Sequence, residues 1–365
     1  MERINKFIKI ACLLALFLVI AVVGWGIYQI AGIEASGKAN FFLPFAKNKT
    51  KAEFENKNND SLKILFLGDL MLDRHVGEKI KAKGFDYLFA GLNTEIDFKS
   101  FDVINANLEG AVTDNGAHYP PVMAYDFAFA PDVIANLKNY NLNYFNLANN
   151  HLSDQGEQGV KETYANLAKL NMKSYGCPDG QTGDCGFYIA DIGGFKIGFL
   201  GFSMVYKKFD LGKAAKLVAD LNNKTDLVIA NIHWGTEYEH YFNKTQTETA
   251  YQLIDAGADL IIGHHPHVVE GIEIYNGKPI FYSLGNFIFD QYFSADTQEE
   301  LAVALEFNSD KKVAIKLLPL ISRQAQPSLM IGADKEKYLK KIAGWSKGDE
   351  KFKRQISDGE IKINF

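Results

Sequence analysis

The chain has 365 residues, 47% of them hydrophobic and 23% charged, and a formal net charge of -5. That length and composition suit one large globular domain or two smaller ones. The mildly negative charge speaks against a polyanion-binding surface, and so against nucleic acid as a partner.

The N-terminus carries the first element. From Ile10 to Ile33, IACLLALFLVIAVVGWGIYQIAGI has no charged residue. As a helix it would be ~36 Å long, enough to cross the ~30 Å hydrocarbon layer of a bilayer. Trp25 and Tyr28 lie toward one end, where amphipathic rings favour the interface. Arg3, Lys6 and Lys9 precede the run. The positive-inside rule therefore places residues 1–9 in the cytoplasm, a single-pass transmembrane anchor at 10–33, and the main domain outside the cell membrane. The alternative is a cleaved signal peptide, whose apolar region is shorter, about 7–15 residues. Residues 34–61 are polar and lack periodicity, so they read as a linker.

The main domain is expected over residues 62–330. Short apolar runs (62–69, 102–110, 142–151, 195–203, 226–235 and 258–267) alternate with helix-like segments such as PDVIANLKNY and TQTETAYQLIDAG. Gly257 stands where a helix C-terminus favours glycine. This alternation predicts an α/β fold. Farther on, Asn276-Gly277 between two strand-like runs predicts a hairpin, and LAVALEFNSDKKVAIKLLPL a second one. A mixed sheet, or two sheets packed together, follows. Residues 331–365 are expected as a C-terminal helix, DKEKYLKKIAGW, and a weakly structured tail. Cys177 and Cys185 flank a loop rich in Gly, Pro and Asp. In an oxidising compartment they are expected to form a disulfide, the alternative being two free thiols.

Most of the apolar runs end in a residue of metal-ligand type: Asp69, Glu109, Asn149 to His151, His233, and the cluster His264, His265 and His267. Ligands bind at the carboxyl ends of strands in open α/β sheets, so these ends would converge on one cavity. Oxygens mixed with imidazoles suit Mn, Fe or Zn, and so many candidate ligands are too many for one tetrahedral ion but enough for two divalent ions.

Five stretches carry a resemblance to known proteins: GDLMLDRHV (68–76), NLEGAVTD (107–114), LANNHLSDQGEQGVKET (147–163), HWGTEYE (233–239) and DAGADLIIGHHPHVVEGIEIYNGKPIFYSLGNFIFD (255–290). The arrangement resembles the calcineurin-like metallophosphoesterase superfamily. More closely it resembles the CapA family of capsule-synthesis proteins, also called PgsA-like poly-γ-glutamate biosynthesis proteins. The resemblance implies a metallophosphoesterase-like sandwich of two mixed β-sheets flanked by helices, preceded here by the N-terminal transmembrane helix. Carried over by position, Asp69, Glu109, Asn150, His233, His265 and His267 would hold two divalent metal ions. His151 would protonate a leaving group. Asp154 would orient His151, or else cap the following helix. Arg74 would meet an anionic substrate through its fork, or else make a surface ion pair. Glu237 and Asn286 would line the pocket.

One position departs from the phosphoesterase pattern. Where that pattern has His two residues after the first Asp, this chain has Met71, with Asp73 or His75 as possible substitutes. His264 is left without an assigned role. The resemblance implies an extracytoplasmic protein in the synthesis or export of an anionic polymer. It would act as a metal-dependent hydrolase on a phosphoester or an amide, or serve as a non-catalytic polymer-binding subunit beside other membrane subunits.

Overall fold

The computed structural model describes residues 61–205, 209–308 and 312–364. The cytoplasmic segment, the anchor and all but the last residue of the linker lie outside the described residues. Among those that are described, no helix is long and apolar enough to cross a membrane.

The first half of the domain runs β1 (Ser61–Leu70), α1 (Arg74–Lys83), β2 (Val103–Leu108), β3 (Ala111–Val112), β4 (Ala128–Phe129) and α2 (Pro131–Ala135). It continues with β5 (Leu142–Asn146), α3 (Gly156–Lys169), β6 (Lys173–Tyr175), β7 (Phe187–Ile192) and β8 (Phe195–Ser203). Next come α4 (Leu211–Asn222), β9 (Leu227–His233), α5 (Lys244–Asp255), β10 (Leu260–His264), β11 (Ile272–Tyr275) and β12 (Lys278–Phe281). The chain closes with β13 (Asn286–Ile288), β14 (Glu299–Asn308), β15 (Lys312–Arg323), β16 (Gln326–Leu329), α6 (Gly332–Trp345), α7 (Glu350–Asp358) and β17 (Glu360–Asn364).

The strands form two mixed sheets and one small pair. The larger has the order β16-β15-β14-β1-β2-β5-β6, with β13 beside β1 and β17 beside β15. The smaller has the order β11-β12-β10-β9-β8-β7. Strands β1, β2, β5 and β6 are mutually parallel, as are β8, β9, β10 and β12. Parallel strands need both faces covered, and the core shows how. Leu62, Ile64 and Phe66 on one face of β1 pack with Phe199, Ile229 and Ile262 of the other sheet. Leu65 and Leu67 on the opposite face pack with Val76 of α1 and Leu167 of α3. Beyond the second sheet, Val228, Ala230 and Ile232 meet Val218 of α4 and Leu253 of α5. The layers are thus helix, sheet, sheet, helix.

The Asn276-Gly277 hairpin forms as the dipeptide predicts. Both residues have positive φ (49° and 78°), and Tyr275 pairs with Lys278 across the turn. β14 and β15 make the second antiparallel pair. The run 142–151 is strand only to Asn146, and the turn after it presents Asn149 to His151. The tail differs from expectation. Residues 350–358 form a helix capped by Asp349 and ended by left-handed Gly359, and β17 then pairs antiparallel with β15. Ile356 and Ile361 are buried in the core between the sheets. So few apolar residues sit in this segment that its pattern is visible only against that core.

Cys177 and Cys185 are disulfide-bonded. The loop they close touches the neighbouring turn, where Ser153 Oγ donates to Pro178 O at 3.4 Å, and just before it Tyr175 O accepts from Leu147 N at 2.8 Å.

Candidate metal centre

Glycines let the strands approach closely enough to form the site. A Cβ on Gly68 would lie 2.0 Å from Gly285 O, so only glycine lets β1 run against β13 here. The next residue, Asp69, is fully buried at the strand end. Its Oδ1 accepts from Asn107 Nδ2 at 2.8 Å and lies 3.4 Å from His264 Nδ1. Its Oδ2 accepts from His265 N at 3.2 Å and lies 3.4 Å from His267 Nδ1.

Glu109, also fully buried, extends from β2. Its Oε1 accepts from Asn107 Nδ2 at 3.2 Å and lies 3.9 Å from His233 Nδ1. Its Oε2 has no hydrogen-bond partner among the described residues. Asn150 Oδ1 meets His233 Nε2 at 2.6 Å. His265 and His267 hold left-handed backbone angles, φ 97° and 58°. Such strain persists only where surroundings over-determine it, and it clusters at functional sites. Here the Asp69 carboxylate takes the His265 amide, and Pro266 O accepts from Tyr238 N at 2.8 Å.

Two groups result. Ligand-type atoms of Asp69, Glu109 and His233 all lie within 4.8 Å of one another, as do those of Glu237, His265 and His267. The first group is buried throughout, while Glu237 stands exposed at the rim of the second. Asn286 Oδ1 supports His267 Nδ1 at 3.0 Å from behind.

His151 lies beside the first group, its Nε2 4.0 Å from Glu109 Oε2. Its Nδ1 is 2.8 Å from Asp154 Oδ2, which also accepts from Phe127 N at 2.9 Å. Asp154 does not cap α3, which starts at Gly156 after Gln155. Its carboxylate is spent on His151 instead. Arg74 pairs in bidentate fashion with the buried Asp290 through Nε and Nη2, and its guanidinium lies 4.9 Å over the Phe127 ring. The Phe127 ring in turn lies 4.3 Å from that of His151.

Met71 is buried, and its Sδ accepts from Asp73 N. Neither substitute reaches the centre. Asp73 accepts from Arg74 N and Ala128 N and meets His118 Nε2 at 3.1 Å, while His75 pairs with Glu78 at the surface. Two residues of the site were missed in sequence. Asn107 lies two residues before Glu109 on the same face of β2, a period-2 signal that was available. Asp290 ends the apolar run FIF, so the strand-end rule that picked out Asp69 applied to it as well.

Charge in this cavity is unevenly shared. Burial opposes ionisation of Asp69, but contacts with His264 and His267 prevail and hold it well below the usual carboxylate range. Burial, then the nearby Asp69 charge, pushes Glu109 well above it. Burial, then His265, holds His233 well below the ordinary imidazole value. Burial and His267 push His265 down to about 4. His267 goes the other way: burial opposes its charge, but Glu109 and Asp69 carry it up to about 9. Two buried carboxylates, one with an unpartnered oxygen, and the unpartnered Nδ1 of His265 fit a centre built around cations.

Behind this centre, the buried Glu270 accepts from Gln246 Nε2 at 2.7 Å, and its other oxygen has no partner among the described residues. Burial, opposed by that bond and reinforced by Glu239, pushes its carboxyl up to about 8 from 4.5. A raised carboxyl costs nothing below its unfolded value. The cost grows from there and is complete above the folded value. Glu270→Gln should therefore match the wild-type melting temperature at pH 4.5 and exceed it progressively toward pH 8.5. Melting curves across that range check this, and a pH-independent difference would contradict it.

The family model of the bacterial capsule synthesis protein PGA_cap matches residues 63–291, a span holding every residue of this centre from Asp69 to Asp290. The PGA biosynthesis protein CapA of Bacillus subtilis (strain 168) is 31% identical over 349 residues, 89% of this chain and 88% of that protein. The capsule biosynthesis protein CapA of Bacillus anthracis is 27% identical over 345 residues, 87% of this chain and 82% of that protein. A crystal structure of a hypothetical protein from Thermus thermophilus covers 74% of this chain and 99% of its own at 18% identity. Its TM-score is 0.44.

Proposed function

Because this chain belongs to the bacterial capsule synthesis protein family PGA_cap, we propose that it serves the synthesis or export of a poly-γ-glutamate-type anionic polymer as a metal-dependent hydrolase. In this reading residues 10–33 anchor it in the cell membrane, the main domain works outside, and other membrane subunits accompany it. The described fold is taken as a metallophosphoesterase-like sandwich.

One observation carries the proposal: the buried group Asp69, Glu109 and His233 stands beside a second group, Glu237, His265 and His267, with His151 at its edge. Asp69 would serve the first group, and its Oδ2, 3.4 Å from His267 Nδ1, would reach toward the second. Asn150 would join His233. A pair of divalent ions (Mn, Fe or Zn) held there would supply Lewis-acid polarisation and a water acidic enough to ionise near neutral pH. Asp154 fixes the His151 ring so that Nε2 faces the cavity and can deliver a proton to a departing oxygen or nitrogen. Arg74, already held by Asp290, offers its remaining donors and a positive edge to a carboxylate or phosphoryl group. With Met71 in place of an imidazole, one position is less fully ligated than the resemblance implies.

The test is elemental analysis of the purified full chain beside Asp69→Ala. About two equivalents of a transition metal, falling below one in the variant, is the expected result. No metal in the wild type, even after reconstitution with Mn²⁺, Fe²⁺ or Zn²⁺, overturns the hydrolase and leaves a polymer-binding subunit. A positive result justifies a screen of phosphoesters and γ-glutamyl amides.

A further inference from the structure

We infer that His264 is a positioning residue, the last link of a buried chain of hydrogen-bond donors running Asn105, Tyr175, Asn231, His264 and aimed at Asp69. The inference rests on the metal-centre reading above and concerns the one histidine of the cluster in neither ligand group.

His264 is fully buried at the end of β10, in register with His233 of β9. Its Nδ1 lies 3.4 Å from Asp69 Oδ1, and its Nε2 lies 3.3 Å from Asn231 Oδ1. Asn231 precedes His233 by two residues, so it shares that face of β9. The Asn231 side chain also neighbours the hydroxyl of Tyr175 at the end of β6, though its Nδ2 makes no hydrogen bond there as placed. That hydroxyl accepts from Asn105 Nδ2 at 2.5 Å. Asn105, Tyr175 and Asn231 are all fully buried, and the chain passes from one sheet to the other.

Three atoms along it stand without partners: His264 Nδ1, Asn231 Nδ2 and Asn105 Oδ1. Both His264 nitrogens face oxygens, yet a neutral imidazole has one donor and one acceptor. Turning over the Asn231 amide, which exchanges oxygen and nitrogen of nearly equal shape, resolves the two that adjoin His264. Asn231 Nδ2 then donates to His264 Nε2, leaving the Nδ1 proton to point at Asp69. Asn231 Oδ1 then takes the Tyr175 hydroxyl proton, and Tyr175 still accepts from Asn105. Every donor now points one way, an arrangement in which each bond polarises the next. Partners of this kind orient a ligating group and are worth about 10–100-fold in metal affinity.

The experiment is calorimetric titration of the metal-stripped full chain with Mn²⁺, with melting curves of the same metal-free samples. His264→Leu removes both ring contacts and should weaken Mn²⁺ binding about 10–100-fold. His264→Asn keeps a donor at the Nδ1 position and should recover much of that loss. Tyr175→Phe removes a single oxygen that touches neither ligand group, so it should keep the fold and still weaken binding several-fold. Wild-type affinity in Tyr175→Phe and in a folded His264→Leu overturns the relay. So does an Asn variant no better than the Leu variant. A wild-type chain that binds neither Mn²⁺ nor, in parallel titrations, Fe²⁺ or Zn²⁺ would instead sink the metal centre, and this inference with it.

Discussion

His151→Asn should reduce turnover of a poorly activated substrate by about 10²- to 10⁴-fold, the usual contribution of a positioned general acid. It should leave the metal content unchanged. The geometry separates the two effects. His151 belongs to neither ligand group, and its Nδ1 is committed to Asp154 at 2.8 Å. Only Nε2 faces Glu109, from 4.0 Å. Asn can keep the contact to Asp154 but has nothing at the Nε2 position. The loss should therefore depend on the leaving group. With a nitrophenyl ester, whose leaving group departs without a proton, most of the defect should vanish. An alkyl ester or an amide should show all of it. An equal loss for both classes of substrate would mean that His151 does something other than protonate. A loss of metal would make it a ligand. Both outcomes are readable in one set of rates and one elemental analysis.

The parts of this centre legible in sequence share a cause. Asp69, Glu109 and His233 end or follow buried parallel strands, and an apolar run stopped by a polar residue is visible without knowing the fold. The hairpin at Asn276-Gly277 was visible for a similar reason, because its positive φ values demand those residues. What was hidden depends on distant partners. Arg74 and Asp290 are far apart in the chain, and only β13 lying beside β1 brings them together. Nothing in GDLMLDRHV says that the guanidinium is already occupied. Asp154 looked equally like a helix cap or a partner for His151, because both roles need one carboxylate three residues away. The left-handed backbone at His265 excludes the regular strand that the run 258–267 suggested, and it turns two imidazoles toward one carboxylate. Met71 is the reverse case. Its identity is plain in sequence, but only its burial and its contact with Asp73 N show that neither Asp73 nor His75 replaces it.

Gly263→Ala should be the most damaging single methyl group in the domain. A Cβ at that position would lie 1.8 Å from Tyr282 O and 2.6 Å from Trp234 Nε1. Those two atoms are hydrogen-bonded to each other at 2.8 Å across the face of the glycine. Trp234 and Tyr282 are both buried and their rings are stacked, so neither can step aside into solvent. The methyl group must push β12 away from β10, break a buried hydrogen bond, or both. Combined overpacking and an orphaned buried donor place the cost above about 4 kcal/mol. For a domain of this size that is a melting-temperature loss of about 6 °C or more. Gly344→Ala is the control. It lies exposed in α6 with nothing within 4 Å of the new Cβ. Helix propensity there favours Ala by about 0.5–1 kcal/mol, so its melting temperature should rise slightly. Equal melting temperatures for the two variants would mean that β10 and β12 can separate freely. The strand end that carries His264, His265 and His267 would then not be held by this contact, and the ordering of the histidine cluster would have to come from the Asp69 side alone.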